Sequence, residues 1–132
     1  MAASPLVNVS ARWVGITLNT ASGTGVVTLV SPAGGSTVME TTDITVTSDD
    51  TVARVLKLIY NDGVNNFNYA SLLVPAGVGF GGKSGVSLLK NIEQFAAALT
   101  PAFATGSLRV QLETAMAATK IMSICAHTKE YQ

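Results

Sequence analysis

One stretch of this chain carries the letters of a phosphate-binding loop. Gly77-Val78-Gly79-Phe80-Gly81-Gly82-Lys83-Ser84 reads G-x-x-x-x-G-K-S. In that pattern backbone N–H groups cradle phosphates, the lysine reaches the terminal phosphates and the hydroxyl holds magnesium. The mechanics need a strand before the loop and a helix opening directly after it. Leu72, Leu73 and Val74 supply a strand-like end before it, but Gly85 follows and the best helical pattern waits until Ile92. A magnesium-holding aspartate is expected at the end of a later apolar strand, and no Asp occurs after Asp62. A structural glycine loop is the favoured reading, and a nucleotide site over residues 77–84 the lesser alternative.

The other reactive residues are sparse. Cys125 and His127 are the only cysteine and histidine. On a strand they share a face, which makes a Cys–His pair geometrically possible, yet no third group is implied to orient the base. Cys125 lies in an apolar run and reads as a buried small hydrophobe. Asp49-Asp50 suggests calcium, but the spaced ligands and closing Glu of a calcium loop are missing; a turn whose carboxylates accept from nearby amides fits better. One His, one Cys and scattered acids do not make a three- or four-ligand metal set. Phe67 and Tyr69 share a strand parity and could stack on a sugar, although packing is the commoner use of such pairs. No catalytic residue, metal ligand or cofactor is assigned.

These residues must be positioned by a chain of 132 residues, the size of one domain. Apolar residues make up 48% and charged residues 12%, about half the usual charged share. So little charge fits a surface hidden against copies of itself or a partner. Eight basic and eight acidic residues give a formal net charge of zero, and no basic cluster offers nucleic acid an electrostatic footprint. No apolar run approaches membrane-spanning length, and the start lacks the pattern of a signal peptide.

Residues 1–12 read as an arm: Pro5 and Asn8 break regularity, while Leu6, Val7 and Val9 need something to bury against. The single domain is expected over residues 13–132. Its first strand opens at Trp13 with Gly15 as a weak point or bulge. Further strands are expected over 26–30, 38–47, 52–60, 67–74, 108–113 and 120–127. Ile44, Val46 and Ser48 alternate with Thr45 and Thr47, and Leu108, Val110 and Leu112 alternate with Arg109, Gln111 and Glu113; both patterns mark half-buried strands. The 52–60 run is apolar on both parities and belongs inside a sheet covered on both sides. Residues 86–90 read equally as a short strand or a helical turn. One short helix is expected over 92–99, capped by Asn91, with Ile92, Phe95, Ala96 and Leu99 on one face and Thr100-Pro101 ending it. The last strand is expected to pair with the one before it, and residues 128–132 read as a polar tail. Strands in succession make the fold class mainly β: an antiparallel β-sandwich, for which a jelly roll is one form, with one short helix.

A wider resemblance rests on several features together. They are an arm running into Trp13-Val14-Gly15, a Ser/Thr/Gly-rich first half, Val55-Leu56-Lys57-Leu58-Ile59-Tyr60-Asn61-Asp62-Gly63, and Leu72-Leu73-Val74-Pro75-Ala76-Gly77 followed by the glycine loop and Ser87-Leu88-Leu89. In this order the chain resembles the small structural proteins of tailed-bacteriophage virions, particularly capsid decoration (cement) proteins and head–tail accessory proteins. The short helix departs from that group, whose members often have a loop there. The resemblance implies a non-enzymatic virion protein, assembled in the host cytoplasm. It also implies a homo-oligomer, with a trimer favoured, that binds the major capsid protein or other virion proteins. Nucleic acid and membrane are not expected as direct partners. Leu6, Val7, Val9, Trp13 and Phe80 are the residues expected at its interfaces. A neck or tail protein of the virion is one alternative, and a carbohydrate- or protein-binding β-sandwich module is another.

Overall fold

The computed structural model describes residues 9–31, 38–87 and 107–131. Eight strands run along it: β1 (Val9–Leu18), β2 (Val27–Val30), β3 (Val38–Ser48), β4 (Arg54–Asn61), β5 (Asn66–Val74), β6 (Val86–Ser87), β7 (Ser107–Leu112) and β8 (Met122–Tyr131). A single 3-10 turn, Thr20–Ser22, is the only helical element among the described residues. The strands form two antiparallel sheets of four, in the orders β1-β8-β3-β6 and β2-β7-β4-β5.

The pairing has a simple rule. The first strand pairs with the last, the second with the seventh, the third with the sixth and the fourth with the fifth. The chain is thus a long nested hairpin folded over into two sheets, which is the strand order of a jelly roll. The β-sandwich read from the sequence is what the structure contains.

The core lies between the sheets and is built from the alternations seen in the sequence. Ile44, Val46 and Ser48 of β3 are buried, while Thr45 and Thr47 are half-buried on the outer side. Leu108, Val110 and Leu112 of β7 are buried as expected, and Leu56 and Leu58 of β4 meet them. From the facing sheet come Leu18, Met122, Ile124 and Ala126. β4 is an interior strand, between β7 and β5. Its other parity is not left wet: Ile59 is only 2% exposed although it stands outside the core cluster.

Several expectations are corrected. β1 begins at Val9 rather than Trp13, inside the segment read as an arm. Its register with β8 is unbroken from Val9 opposite Tyr131 to Leu18 opposite Met122, so Gly15 makes no bulge. β4 begins at Arg54, and Val52 is exposed in the turn before it. β8 does not pair with β7. It lies between β1 and β3 in the other sheet and runs on to Tyr131 through the supposed tail. Residues 113–121 cross from one sheet to the other, and a β8 flanked on both sides gains two ladders where a hairpin with β7 would give one. Of the two readings for residues 86–90, Val86–Ser87 is strand. The helix expected over 92–99 lies outside the described residues.

Candidate interaction surface

The glycine loop is held by its own backbone. It continues along the edge of β3, where the Ser48 amide donates to the Val78 carbonyl at 2.9 Å and the Gly77 amide donates to the Asp50 carbonyl at 3.0 Å. Inside it the Phe80 amide donates to Gly77 and the Lys83 amide to Phe80, both at 3.1 Å. Three of the N–H groups a phosphate cradle would use are therefore occupied. Val86–Ser87 follows as strand, where a phosphate loop would open directly into a helix. Gly79 explains why glycine is needed: its φ is +85°, and a Cβ there would collide with the Thr47 methyl carbon. The geometry favours the structural reading of residues 77–84: the loop is a packed turn against β3.

The Asp49-Asp50 turn is likewise structural, with a longer reach than its sequence suggests. Asp50 is fully buried. Its Oδ1 accepts from the Val52 amide, and its Oδ2 accepts from Arg54 Nε and from the Ala117 amide, each at 3.0 Å. Burial pushes the Asp50 carboxyl up, but the Ala117 amide, the Arg54 guanidinium and the Val52 amide together outweigh it and hold the group at about 2. Asp49 joins the same knot by accepting from the Ile121 amide at 2.8 Å. Among the described residues no group of three or more His, Cys, Asp and Glu comes together to hold a metal.

Cys125 corrects another expectation: it is exposed. The inward parity of β8 is taken by Met122, Ile124, Ala126 and Thr128, which leaves Cys125 and His127 on the outer face. Two steps of strand separate their Cα atoms by about 7 Å. The His127 ring packs on Trp13, with centroids 4.8 Å apart and planes tilted by 45°, and register explains this because Trp13 is directly opposite His127.

Trp13 is the main feature of this face. It is 64% exposed, and its neighbours on the outward row of β1 are Ala11, Gly15 and Thr17, all exposed and none charged. Among the described residues β1 is an edge strand, paired on one side with β8. Proteins usually guard such an edge with charge, proline or a bulge. β1 has no proline or bulge, and its one charged residue, Arg12, reaches across to donate to the Ser31 carbonyl at 3.1 Å.

Phe80, also expected at an interface, is 44% exposed. Its loop lies beside β3 at the far edge of the same sheet, about three strand spacings, or roughly 14 Å, from β1. The structure thus does not bring Trp13 and Phe80 together. Val9 takes its place in the β1 ladder opposite Tyr131, while Leu6 and Val7 lie outside the described residues. Phe67 is 50% exposed and stacks on Tyr60 at a centroid distance of 6.4 Å. Sequence reasoning missed the Trp13–His127 contact, because a pairing of residues 114 positions apart needs the strand order. It also missed the reach of Asp50 to Ala117, for which the sequence carries no local signal.

No protein-family model matches the chain, and no curated protein matches it. Among solved structures, the chain is similar to one from the cyanophage Pam1 capsid asymmetric unit. The two share 14% identity with a TM-score of 0.44, over 99% of this chain and 92% of the other.

Proposed function

We propose that this chain is a non-enzymatic structural protein of a bacteriophage virion. In its most concrete form it is a capsid decoration protein that associates with copies of itself and with the capsid lattice. The observation that carries this reading is Trp13, 64% exposed on an uncharged row of an edge strand. A large aromatic kept in water serves an interface better than it serves a monomer. The low charge of the chain and the features resembling virion proteins point the same way. The jelly-roll order adds an analogy only, since that fold hosts capsid and lectin domains alike.

Trp13→Ala tests this. The side chain contributes little to the core, so the melting temperature should stay within about 2 °C. Association with the purified capsid lattice, measured by co-sedimentation, should weaken about 30-fold, as for loss of a central aromatic anchor. Unchanged binding would overturn the role of this face. Glycan-array binding lost in Phe67→Ala but kept in Trp13→Ala would overturn the virion reading in favour of a carbohydrate module.

A further inference from the structure

A second site lies on the outer face of the other sheet. An open cleft of about 290 Å³ is lined by Thr28, Ser31, Asn61, Gly63, Ser107 and Arg109. Strand register assembles it: Arg109 of β7 stands opposite Ile59 of β4 on one side and Thr28 of β2 on the other, and Ser107 stands opposite Asn61. Arg109 is half-buried, and its Nε donates to the hydroxyl of buried Ser107 at 2.9 Å. That bond fixes one side of the guanidinium and leaves its two terminal nitrogens to act as a fork. Arg109 is in neither the Arg54–Asp50 nor the Lys57–Glu113 ion pair, and no carboxylate lines its cleft.

The lining is rich in donors and holds no acid. The Asn61 amide group is spent internally, its Nδ2 donating to Asn66 and its Oδ1 accepting from the Gly63 amide. The hydroxyls of Thr28, Ser31 and Ser107 remain beside the guanidinium. Asp62, next in chain to Gly63, turns its carboxylate onto the Val64 and Asn65 amides at 2.8 and 2.7 Å.

We infer that this cleft is a binding site for a carboxylate side chain of a partner protein, held by the Arg109 fork and the surrounding hydroxyls. A planar guanidinium with both terminal nitrogens available matches a carboxylate two-for-two. A nucleic-acid backbone needs a row of cations, and this cleft is lined by one. The site stands on its own observations, whatever assembly the Trp13 face serves.

The test uses the full chain and follows the arginine Nε–H resonances by NMR. N-acetylglutamic acid α-amide, which carries one side-chain carboxylate, is the probe. The Arg109 resonance should shift saturably with a dissociation constant on the order of millimolar, while that of Arg54, already paired, stays in place. Arg109→Lys keeps the charge and most of the aliphatic stem but loses the fork; followed through the backbone amides of Thr28 and Ser107, which both proteins share, its binding should weaken about 10-fold. Ser31→Ala, on the exposed rim, should weaken it about 3-fold without altering the fold. No saturable shift at about 100-fold the expected constant would overturn the site. So would equal binding by Arg109→Lys. Inorganic phosphate binding at least about 10-fold more tightly than the probe would overturn the carboxylate assignment.

Discussion

Two aspartates bracket β4, and they show how similar local chemistry leads to different structural weight. Asp50 precedes the strand and Asp62 follows it. Each accepts from the amide two residues ahead, Val52 and Val64 respectively. Asp62 takes its second amide from Asn65, within the same tight loop. Asp50 takes its second from Ala117, which is 67 positions away, and adds the Arg54 guanidinium. The Asp62 turn is therefore local and half-wet, whereas the Asp50 turn ties the β3–β4 connection to the one that carries the chain into β8. Around Asp50 the knot widens, because the Gly77 amide donates to its carbonyl and the Thr20 hydroxyl donates to the Met116 and Ala117 carbonyls. A turn motif readable in sequence becomes a keystone only where distant backbone comes to it.

Replacing Asp50 should have the largest effect. Asp50→Ala leaves the Arg54 side chain, 11% exposed, without its carboxylate and the Ala117 amide without its acceptor. The expected loss is about 3–5 kcal/mol, read from denaturant midpoints. A loss below about 1 kcal/mol would mean that the two turns are equivalent after all.

The glycines of the two ends extend the contrast. Gly79, in the loop braced against the Asp50 end, and Gly63, in the Asp62 loop, both have positive φ, +85° and +104°. A Cβ at Gly79 meets Thr47, whereas at Gly63 nothing lies within 4 Å. Gly79→Ala should cost about 3 kcal/mol, combining backbone strain with overpacking, and Gly63→Ala about 1–2 kcal/mol from strain alone. Equal costs would show that Thr47 gives way freely.

Acid should separate the aspartates by a third route. The Asp50 carboxyl is held at about 2, below its ordinary 3.8. Its contribution is therefore fully present above about pH 4 and is lost as pH falls from about 4 toward 2. Asp50→Asn should flatten that limb of the stability–pH curve. Asp62 is also lowered, by the Asn65 and Val64 amides, and acts in the same direction. Because it is half-exposed, Asp62→Asn should leave most of the limb in place. An unchanged limb in Asp50→Asn would remove the physical basis of the keystone.

The smallest effect belongs to Asp62→Ala. A partly exposed side chain that caps its own loop should move the denaturant midpoint by less than about a third of the Asp50→Ala shift. A cost equal to that of Asp50→Ala would erase the comparison.

What was legible in the sequence follows the range of the forces involved. The threonine alternation in β3 and the Leu108-Val110-Leu112 parity of β7 are period-two patterns, and a strand with one dry face imposes them directly on the residues. The glycine loop and the aspartate turns were legible for the same reason, since left-handed φ and short-range capping act within a few positions. The opening strand was read too short because Pro5 and Asn8 look like breakers, and only the β8 partner shows that the ladder holds from Val9.

The amino-acid sequence alone determined a mainly β chain and the inward residues of its central strands. Each of these depends on composition or on spacing within one strand. Tertiary structure decided that β8 pairs with β1 and β3 instead of β7, and so that Cys125 faces solvent, that His127 meets Trp13 and that Arg109 stands in a cleft with Ser107, Thr28 and Ser31. The reason is that an edge can be satisfied by many strands of similar apolar content, and the winner is set by how two whole sheets close over one core.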